Sequence, residues 1–194
     1  MRISGMATTD EELYDRFLNR HTQEDFRVLF EKYKEGLILF LDGFVHNLDD
    51  AEELMIDAFA EVAAGRTIFS RRSSFKTWLF SIGKKLALMH LRKSKRTQIV
   101  SSDEEEMDIP DTDEVLPELK MLSEERNRIL YQAMGKMNAD YRRVLMLLYF
   151  DNMSHEEAAK VMGKNKKQVY HLVERGKKEL REILKKEGIG YEIE

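Results

Sequence analysis

A stretch of 31 residues, from Arg66 to Arg96, contains ten lysine and arginine residues and no aspartate or glutamate, although acids make up 36 of the 194 residues of the chain. Aromatic residues are interleaved with these bases at Phe69, Phe75, Trp78 and Phe80. Clustered positive charge binds phosphates, and flat rings stack on unpaired bases. We therefore predict that this stretch, called the basic stretch below, binds a single strand of nucleic acid. Its predicted contacts are Arg66, Phe69, Arg71, Arg72, Ser73, Lys76, Trp78, Lys84, Lys85, Arg92, Lys93 and Arg96.

The aromatic residues of the basic stretch have an alternative role in packing. Phe75 and Leu79 fit the buried face of a helix, and Trp78 could lie in the same core. Phe69 and the loop 71–74 lie outside that face, where they could hold an extruded base with side-chain and backbone donors. Packing of the rings does not explain the absence of acids, so the strand-binding interpretation stands beside it.

A second basic segment lies near the C-terminus and divides into two faces. Residues 165–168 predict the start of a helix that runs to about Lys186, with an apolar face of Val169, Leu172, Val173, Gly176 and Leu180. Residues 154–163 predict a short capped helix and a tight turn before it, which together form a helix-turn-helix. Such a motif places the N-terminal part of its second helix against duplex DNA, whereas a plain solvated basic helix is the alternative. The predicted duplex contacts are Lys166, Lys167, Gln168, Tyr170, His171, Arg175 and Lys178.

Catalytic and metal-binding motifs are not found in the sequence. The segment 155–159 begins like the zinc-binding H-E-x-x-H helix, but Ala159 occupies the position of the second ligand. The chain lacks a glycine-rich phosphate loop and a nucleophile elbow, and its five histidines are scattered. We therefore predict no catalytic residue, no metal and no cofactor.

Composition favours an all-α protein of two small helical domains. Helix formers dominate, and the two prolines, Pro110 and Pro117, both fall in the acidic segment 97–121. That segment lacks helical periodicity, so we predict a flexible linker between domains 1–96 and 122–194. The chain has no cysteine, which is typical of a reducing cytoplasm, and no apolar run that predicts a signal peptide or a membrane span.

Capping residues divide the first domain into four predicted helices. The predicted N-caps are Thr9 or Asp10, Thr22, Asp49, and Ser73 or Ser74. The fourth helix is predicted to bury a stripe of Phe75, Leu79, Ile82, Leu86 and Met89. In the second domain, helices that begin at Ser123 and at Asn138 or Asp140 precede the helix-turn-helix. The third helix has an acidic exposed face, which is either an ordinary solvated surface or a docking surface for a basic protein.

Taken together, these segments resemble the small two-domain bacterial sigma factors of the extracytoplasmic-function group of the sigma-70 family. The resemblance spans residues 26–184. Residues 50–59 resemble region 2.2, residues 74–82 region 2.3, residues 86–96 region 2.4, and residues 154–169 region 4.2 of that family. It implies a promoter-specificity subunit whose third helix docks on the β′ clamp of core RNA polymerase. The implied polymerase contacts are Asp50, Glu52, Glu53, Asp57 and Phe59.

The resemblance also implies how DNA and regulators are bound. The basic stretch would hold the unpaired minus-ten element and promote strand opening, and the last helix would read the minus-thirty-five element. The protein would be a monomer when free or one copy per holoenzyme, held by an anti-sigma factor. Lys85 replaces an asparagine that is frequent in relatives at the start of region 2.4. In the last helix Leu172 replaces a usual arginine, so the base contacts of that helix would move to Lys167, Tyr170 and His171. A stand-alone helix-turn-helix transcription regulator with a helical sensor domain is the alternative.

Overall fold

The computed structural model describes the backbone of residues 8–20, 22–100 and 125–187, and the side chains of these residues except 95–100 and 125–128. All regular structure in these ranges is helical, which confirms the predicted fold class. The helices are α1 (Asp10–Arg20), α2 (Gln23–Val45), α3 (Leu48–Ala63), α4 (Phe75–Val100), α5 (Glu125–Gly135), α6 (Ala139–Leu145), α7 (His155–Met162) and α8 (Lys166–Lys186). A π-helical turn, Met146–Phe150, continues α6. Residues 97–100, predicted as the start of the linker, belong instead to the end of α4. The rest of the predicted linker and the predicted cap Ser123 lie outside the described residues.

Helices α1 to α4 pack around one apolar core and are called the N-terminal half below. Helix α2 contacts the other three helices. Its side chains Leu37, Phe40 and Leu41 are fully buried. Each such side chain contributes roughly 1.5–3 kcal/mol when it leaves water. Packing against α2 therefore fixes where α3 and α4 present their outer faces.

Two details of the N-terminal half differ from the prediction. Asn47, and not Asp49, caps α3: the Asn47 side chain accepts a hydrogen bond from the Asp50 N–H at 3.0 Å. Asp49 lies in the first turn instead, where a negative charge is favourable at the positive end of the helix dipole. Met89, predicted on the buried stripe of α4, is 52% exposed, because Ala87 and Leu91 form the inward side of the helix at this point.

Helices α5 to α8, the C-terminal half, contain the predicted helix-turn-helix in α7 and α8. The predicted capping boxes at both helix starts are formed, with Ser154 and Asn165 as the N-caps. Gly163 ends α7 in the left-handed conformation, with φ of 66°. At Gly176 a β-carbon would lie only 3.2 Å from Cβ of Tyr141 in α6. The predicted apolar face of α8 therefore packs closely on α6 at this glycine.

The two halves are in direct contact, α4 with α7 and α2 with α6 and the π-helical turn. We call this contact the interdomain junction. Two glycines of α2, seven residues apart, allow the close approach. A β-carbon at Gly36 would overlap the Asp151 carboxylate, and one at Gly43 would lie 2.9 Å from Cγ of Arg143. Glycine inside a helix costs about 1 kcal/mol relative to alanine, and here it makes room for the C-terminal half.

Candidate nucleic-acid interface

The loop between α3 and α4, residues 64–74, carries the first part of the basic stretch. Arg66 and Arg72 are exposed. Between them Ile68, which is absent from the predicted contacts, is 89% exposed. An aliphatic residue next to Phe69 in a basic loop is the sequence signal that could have identified it. The loop thus presents an apolar tip flanked by positive charge, a combination suited to a base and its phosphate.

The aromatic rings of the basic stretch are mainly engaged in packing. The ring centroids of Phe69 and Trp78 lie 4.9 Å apart, and both rings contact Tyr14 of α1. Phe69 and Trp78 are half-buried, whereas Phe75 and Phe80 are fully buried. Phe69, expected outside the buried face, therefore belongs to the same aromatic cluster. Only parts of the Phe69 and Trp78 rings are available to a base.

Arg71 anchors the loop to α1. Its backbone has a positive φ of 57°, which is uncommon for a residue other than glycine. Its guanidinium forms an ion pair with Asp15. On the other side, Lys160 of α7 donates a hydrogen bond to the Arg72 carbonyl at 3.3 Å. Ser73, also predicted to contact DNA, is half-buried between these attachments.

The bases on α4 divide into two groups. Lys85, Arg92 and Lys93 are exposed on its outer side. Lys76 and Lys84 point into the interdomain junction, where they donate hydrogen bonds to carbonyls of the C-terminal half. The acceptor of Lys76 is the Asp151 carbonyl, and that of Lys84 is the Met162 carbonyl at 2.7 Å. The side chain of Arg96 lies outside the described residues.

The predicted duplex contacts form one exposed face of α8. All of them are exposed, whereas Val169, Val173 and Leu180 on the opposite face are buried. Leu172 is half-buried and packs against the core. The exposed residues of this face are Lys166, Lys167, Gln168, Tyr170, His171, Arg175 and Lys178. Its exposed N-terminal part is the part that enters the major groove in helix-turn-helix proteins.

The acidic face of α3 borders α4, since Asp50 Oδ2 lies 3.5 Å from Nε2 of His90. Glu53 and Asp57 are exposed, and Asp50 and Glu52 are half-buried. Phe59, predicted with them as a partner contact, is only 3% exposed and its ring packs on Phe30 at 4.9 Å and Phe26 at 5.9 Å. It is a core residue, because its helical position faces α2. Ile56 is 57% exposed among these acids and is the apolar residue that this surface offers.

Glu157 of α7 joins the two halves at the start of α4. Its Oε1 accepts hydrogen bonds from Ser74 Oγ at 2.7 Å and from Thr77 Oγ1 at 3.2 Å. Its Oε2 accepts from the backbone N–H and hydroxyl of Ser154, both at 3.0 Å, which closes the capping box of α7. Partial burial would raise the pKa of this carboxyl, but these hydrogen bonds lower it below its usual range. Glu157 is therefore a carboxylate shared between a cap and a junction.

A buried ion pair forms the second part of the interdomain junction. Asp42 of α2 is paired with Arg142 of α6, and the side chains are only 9% and 4% exposed. The Tyr131 hydroxyl of α5 donates to Asp42 at 2.7 Å and accepts from Arg142 at 2.8 Å. Beside them, Arg143 donates to the Gly43 carbonyl at 2.8 Å. An ion pair of this kind depends on both partners, since removal of one leaves an unpaired buried charge.

Asp151 contributes a buried carboxylate to the interdomain junction, and one of its oxygens accepts no hydrogen bond. Its Oδ2 has no hydrogen-bond partner, and its side chain lies against the backbone of Gly36 in α2. Burial raises the pKa of this carboxyl to about 7, although the positive charge of Lys76 acts in the opposite direction. Tyr33 of α2 is the other titratable group facing it, and burial raises the pKa of that phenol. The charged form of Asp151 is thus disfavoured while the halves are in contact.

The part of the chain that the structure describes contains neither a metal-binding cluster nor a membrane-spanning helix. Among the described residues, no group of three or more His, Asp or Glu side chains is arranged to hold a metal ion. None of the helices in the described ranges is both long and apolar enough to cross a membrane.

Comparison with known proteins identifies both halves. The family model for Sigma-70 region 2 matches residues 29–97, and the one for Sigma-70 region 4 matches residues 127–180. The ECF RNA polymerase sigma factor SigX of Bacillus subtilis is 30% identical over 177 residues, which cover 88% of this chain and 91% of SigX. The chain belongs to the extracytoplasmic-function group of the sigma-70 family. As a sigma factor, it directs RNA polymerase to promoters.

Other relatives extend over most of this sigma factor. The RNA polymerase sigma-H factor of Pseudomonas aeruginosa is 29% identical, over 79% of this chain and 82% of that protein. The structure of CnrH in complex with the cytosolic domain of CnrY has 21% identity and a TM-score of 0.60, over 91% of this chain and 97% of that one. The sigma factor RpoE of Bartonella quintana, in complex with the anti-sigma factor NepR, has 24% identity and a TM-score of 0.62, over 84% and 98% of the two chains. These two structures share the fold of the sigma factor described here.

The raised pKa of Asp151 makes the junction of this sigma factor sensitive to pH. In an open form the carboxyl would be solvated and its pKa would return to about 3.9. The closed form therefore binds one more proton in the interval between the two values, and a rise in pH favours opening. With a closed-form pKa of about 7, ionisation of Asp151 alone lowers the ratio of closed to open protein about fourfold from pH 6.5 to 8.5. Fluorescence energy transfer between labels on the two halves measures this ratio.

The Asp151→Asn variant is the control for this pH effect, because asparagine does not ionise. In this variant a rise in pH should no longer favour opening. Burial and the nearby Arg142 lower the pKa of His46 in the closed form, so loss of the His46 proton from the open form favours closing, which is the opposite direction. Opening that still increases with pH in Asp151→Asn would contradict the assignment to this carboxyl.

Proposed function

We propose that this sigma factor keeps part of its basic stretch unavailable to DNA until core RNA polymerase separates its two halves. The observation that supports the proposal is the position of Lys76 and Lys84. Both belong to the basic stretch, and both donate hydrogen bonds to backbone carbonyls of the C-terminal half. In the closed form these charges are not available to phosphates. Opening releases them together with the carbonyls that they occupy.

Core polymerase would bind through the acidic face of α3. Glu53, Asp57, Glu52 and Asp50 supply negative charge there, and Ile56 supplies an exposed apolar contact in their midst. An apolar anchor surrounded by charges of one sign suits a basic protein surface, because charge steers the encounter and burial of the anchor adds affinity. This face does not belong to the interdomain junction, so polymerase can bind it before the halves separate.

The opened protein would contact promoter DNA with both halves. The basic stretch, in a domain of residues 1–96, would hold the unpaired downstream strand, with exposed Lys85, Arg92 and Lys93 on its phosphates. The exposed face of α8, in a domain of residues 122–194, would enter the major groove of the upstream element. Residues 97–121 would link the two domains while they sit apart on the same promoter. Because the strand is held rather than cleaved or modified, the role needs no catalytic residue.

An inhibitory protein could use the same junction. RpoE of Bartonella quintana, which shares this fold, was solved with the anti-sigma factor NepR. A partner that contacts both halves would favour the closed form and would prevent Lys76 and Lys84 from reaching DNA.

The sigma factor would act in the cytoplasm, where polymerase and promoter DNA are found.

Promoter binding by the free and polymerase-bound protein tests the proposal. We expect the free protein to bind a labelled single strand of the downstream element weakly at physiological salt, because the junction occupies part of its basic stretch. Addition of core polymerase should give tight binding of that strand, strand opening and run-off transcripts from a single class of promoter. Tight binding of the single strand by the free protein would contradict the proposal.

A further inference from the structure

The face of α8 assigned to the upstream duplex contains one large aromatic side chain that a neighbouring helix holds in place. Tyr170 lies in the second turn of α8 and is 47% exposed. Its ring stacks on the imidazole of His155, the first residue of α7, with centroids 4.2 Å apart and an interplanar angle of 21°. One face of the ring is thus covered, whereas the rest is open to a ligand.

A second contact between the same helices lies at the preceding turn of α8. Glu156, next to His155, forms an ion pair with Lys166, four residues before Tyr170. Residues four apart lie on the same face of a helix. The hydrogen bond between the two groups raises the pKa of Lys166 and lowers that of Glu156. Two consecutive residues of α7 therefore hold two consecutive turns of the DNA-facing side of α8.

We infer that Tyr170 determines promoter specificity by contacting the C5-methyl group of a thymine in the upstream element, and that His155 is a positioning residue for its ring. The inference rests on the proposed function, in which α8 enters the major groove. The thymine methyl is the apolar group that the major groove displays, and aromatic side chains contact it. A stacked ring stays at one base step, whereas an unsupported ring could move between neighbouring bases.

The surroundings of Tyr170 favour an apolar contact over a bidentate hydrogen bond at this step. Leu172, two residues further, is half-buried against the core and does not reach the surface that faces DNA. Lys167 and His171 flank Tyr170 and are exposed. They can bind phosphates or purine edges on either side, which leaves the methyl contact to the ring.

Replacement of single thymines by deoxyuridine tests the inference, because it removes only the methyl group. Wild-type holoenzyme first selects promoters from a library with a randomised upstream element. Each thymine of the selected element is then replaced in turn, and one replacement should weaken binding about fourfold, as expected for one buried methyl group. For Tyr170→Ala and His155→Ala this ratio should fall below about twofold, since the contact is lost or no longer held. Tyr170→Phe and His155→Phe, which can still stack, should keep it.

Tyr149→Ala is the matched control, because Tyr149 is a comparably exposed tyrosine, at 55%, in the same half. It should leave the thymine-to-deoxyuridine ratio unchanged. Thermal unfolding of each variant separates specificity from stability. A His155→Ala variant that lowers the melting temperature but keeps the full ratio would overturn the inference, because the stack would then only stabilise the fold.

The Arg175→Ala variant separates failure of the inference from failure of the proposed function, because Arg175 is exposed on the same face of α8 and is not assigned a base contact. If α8 enters the major groove, loss of this charge should weaken binding to all upstream sequences and reduce the salt dependence by about one phosphate contact. No effect would overturn the placement of α8 and the inference with it. If this variant weakens binding uniformly, but no thymine-to-deoxyuridine ratio depends on Tyr170 or His155, the inference is overturned and the proposed function is not.

Discussion

The Asp42→Ala variant should remain folded but lose the contact between its two halves. In the closed form Arg142 is 3% exposed, so removal of the Asp42 carboxylate would leave a buried charge without a counter-ion. Such a loss costs about 3–5 kcal/mol. Separation of the halves lets Arg142 and Tyr131 reach water, so opening is the cheaper response. Even about 3 kcal/mol lowers the ratio of closed to open protein by more than a hundredfold.

Energy transfer between two labels measures this opening. The chain contains no cysteine, so Ala60→Cys and Lys186→Cys, at exposed positions in the two halves, can carry the fluorophores. We expect low transfer efficiency in Asp42→Ala and unchanged helicity by circular dichroism. The free variant should also bind single-stranded promoter DNA more tightly than the wild type, because opening releases Lys76 and Lys84.

Asp25→Ala is the matched control for Asp42→Ala. Asp25 is also buried on α2, at 8% exposure, but its partner Arg16 lies in α1 of the same half, with 2.6 Å between Nη2 and Oδ1. Its loss should lower stability without changing the transfer efficiency. The double variant Asp42→Ala/Arg142→Leu removes both charges and should restore much of the closed form. A folded Asp42→Ala protein with wild-type transfer would contradict the role of the ion pair.

Gly36→Ala tests the junction without changing any charge. Alanine favours the α2 helix by about 1 kcal/mol relative to glycine. Its β-carbon would nevertheless overlap the Asp151 carboxylate. We therefore expect a more stable N-terminal half and a more open protein, two effects that unfolding and energy transfer report separately.

Neutralisation of four bases of the basic stretch should abolish open-complex formation. The variant replaces Arg71, Arg72, Lys76 and Lys85 by glutamine. If each contact with the displaced strand contributes only about 0.7 kcal/mol, their joint loss weakens strand capture by roughly a hundredfold. Holoenzyme should still bind the upstream duplex through α8, so the defect should appear in strand opening and not in initial binding. Reactivity of unpaired thymines toward permanganate measures the opening.

A control with the same change in net charge shows whether position matters. Arg20, Arg27, Arg181 and Lys185 are exposed residues outside the predicted contacts. Their joint replacement by glutamine should leave strand opening near the wild-type level. The salt dependence of opening should become shallower only in the first variant, since counter-ions are released only where phosphates are bound. Wild-type strand opening in the variant of Arg71, Arg72, Lys76 and Lys85 would contradict the role of the basic stretch in holding the strand.

Local features of this fold were predictable from the sequence. The capped starts of α7 and α8, the tight turn between them and the apolar face of α8 that includes Gly176 follow from short-range rules, and the structure contains all three. Asn47 was missed as the cap of α3 because Asn47 and Asp49 are equally good cap residues two positions apart. The exposed face of α8 follows from helical periodicity, which also places its predicted contacts on one surface.

The interdomain junction was not predictable in the same way. Asp42 and Arg142 are 100 positions apart, and nothing in the local sequence of either residue names the other. The signal that was present is the pair of glycines in α2: at heptad spacing within a helix, they indicate a face that another element approaches closely. Phe59 could not be assigned to the core from the sequence alone, because only the packing of α3 on α2 decides that its ring faces inward.

The divided hydrogen bonding of Glu157 has a consequence for the speed of the response. When the halves part, Oε1 loses Ser74 and Thr77, but Oε2 still closes the N-terminus of α7 through Ser154. The promoter-reading module thus arrives at DNA already folded. Activation is then a rigid-body rearrangement, which takes microseconds to milliseconds. A cell holding a silent reserve of this subunit could change its transcription without waiting for new protein synthesis.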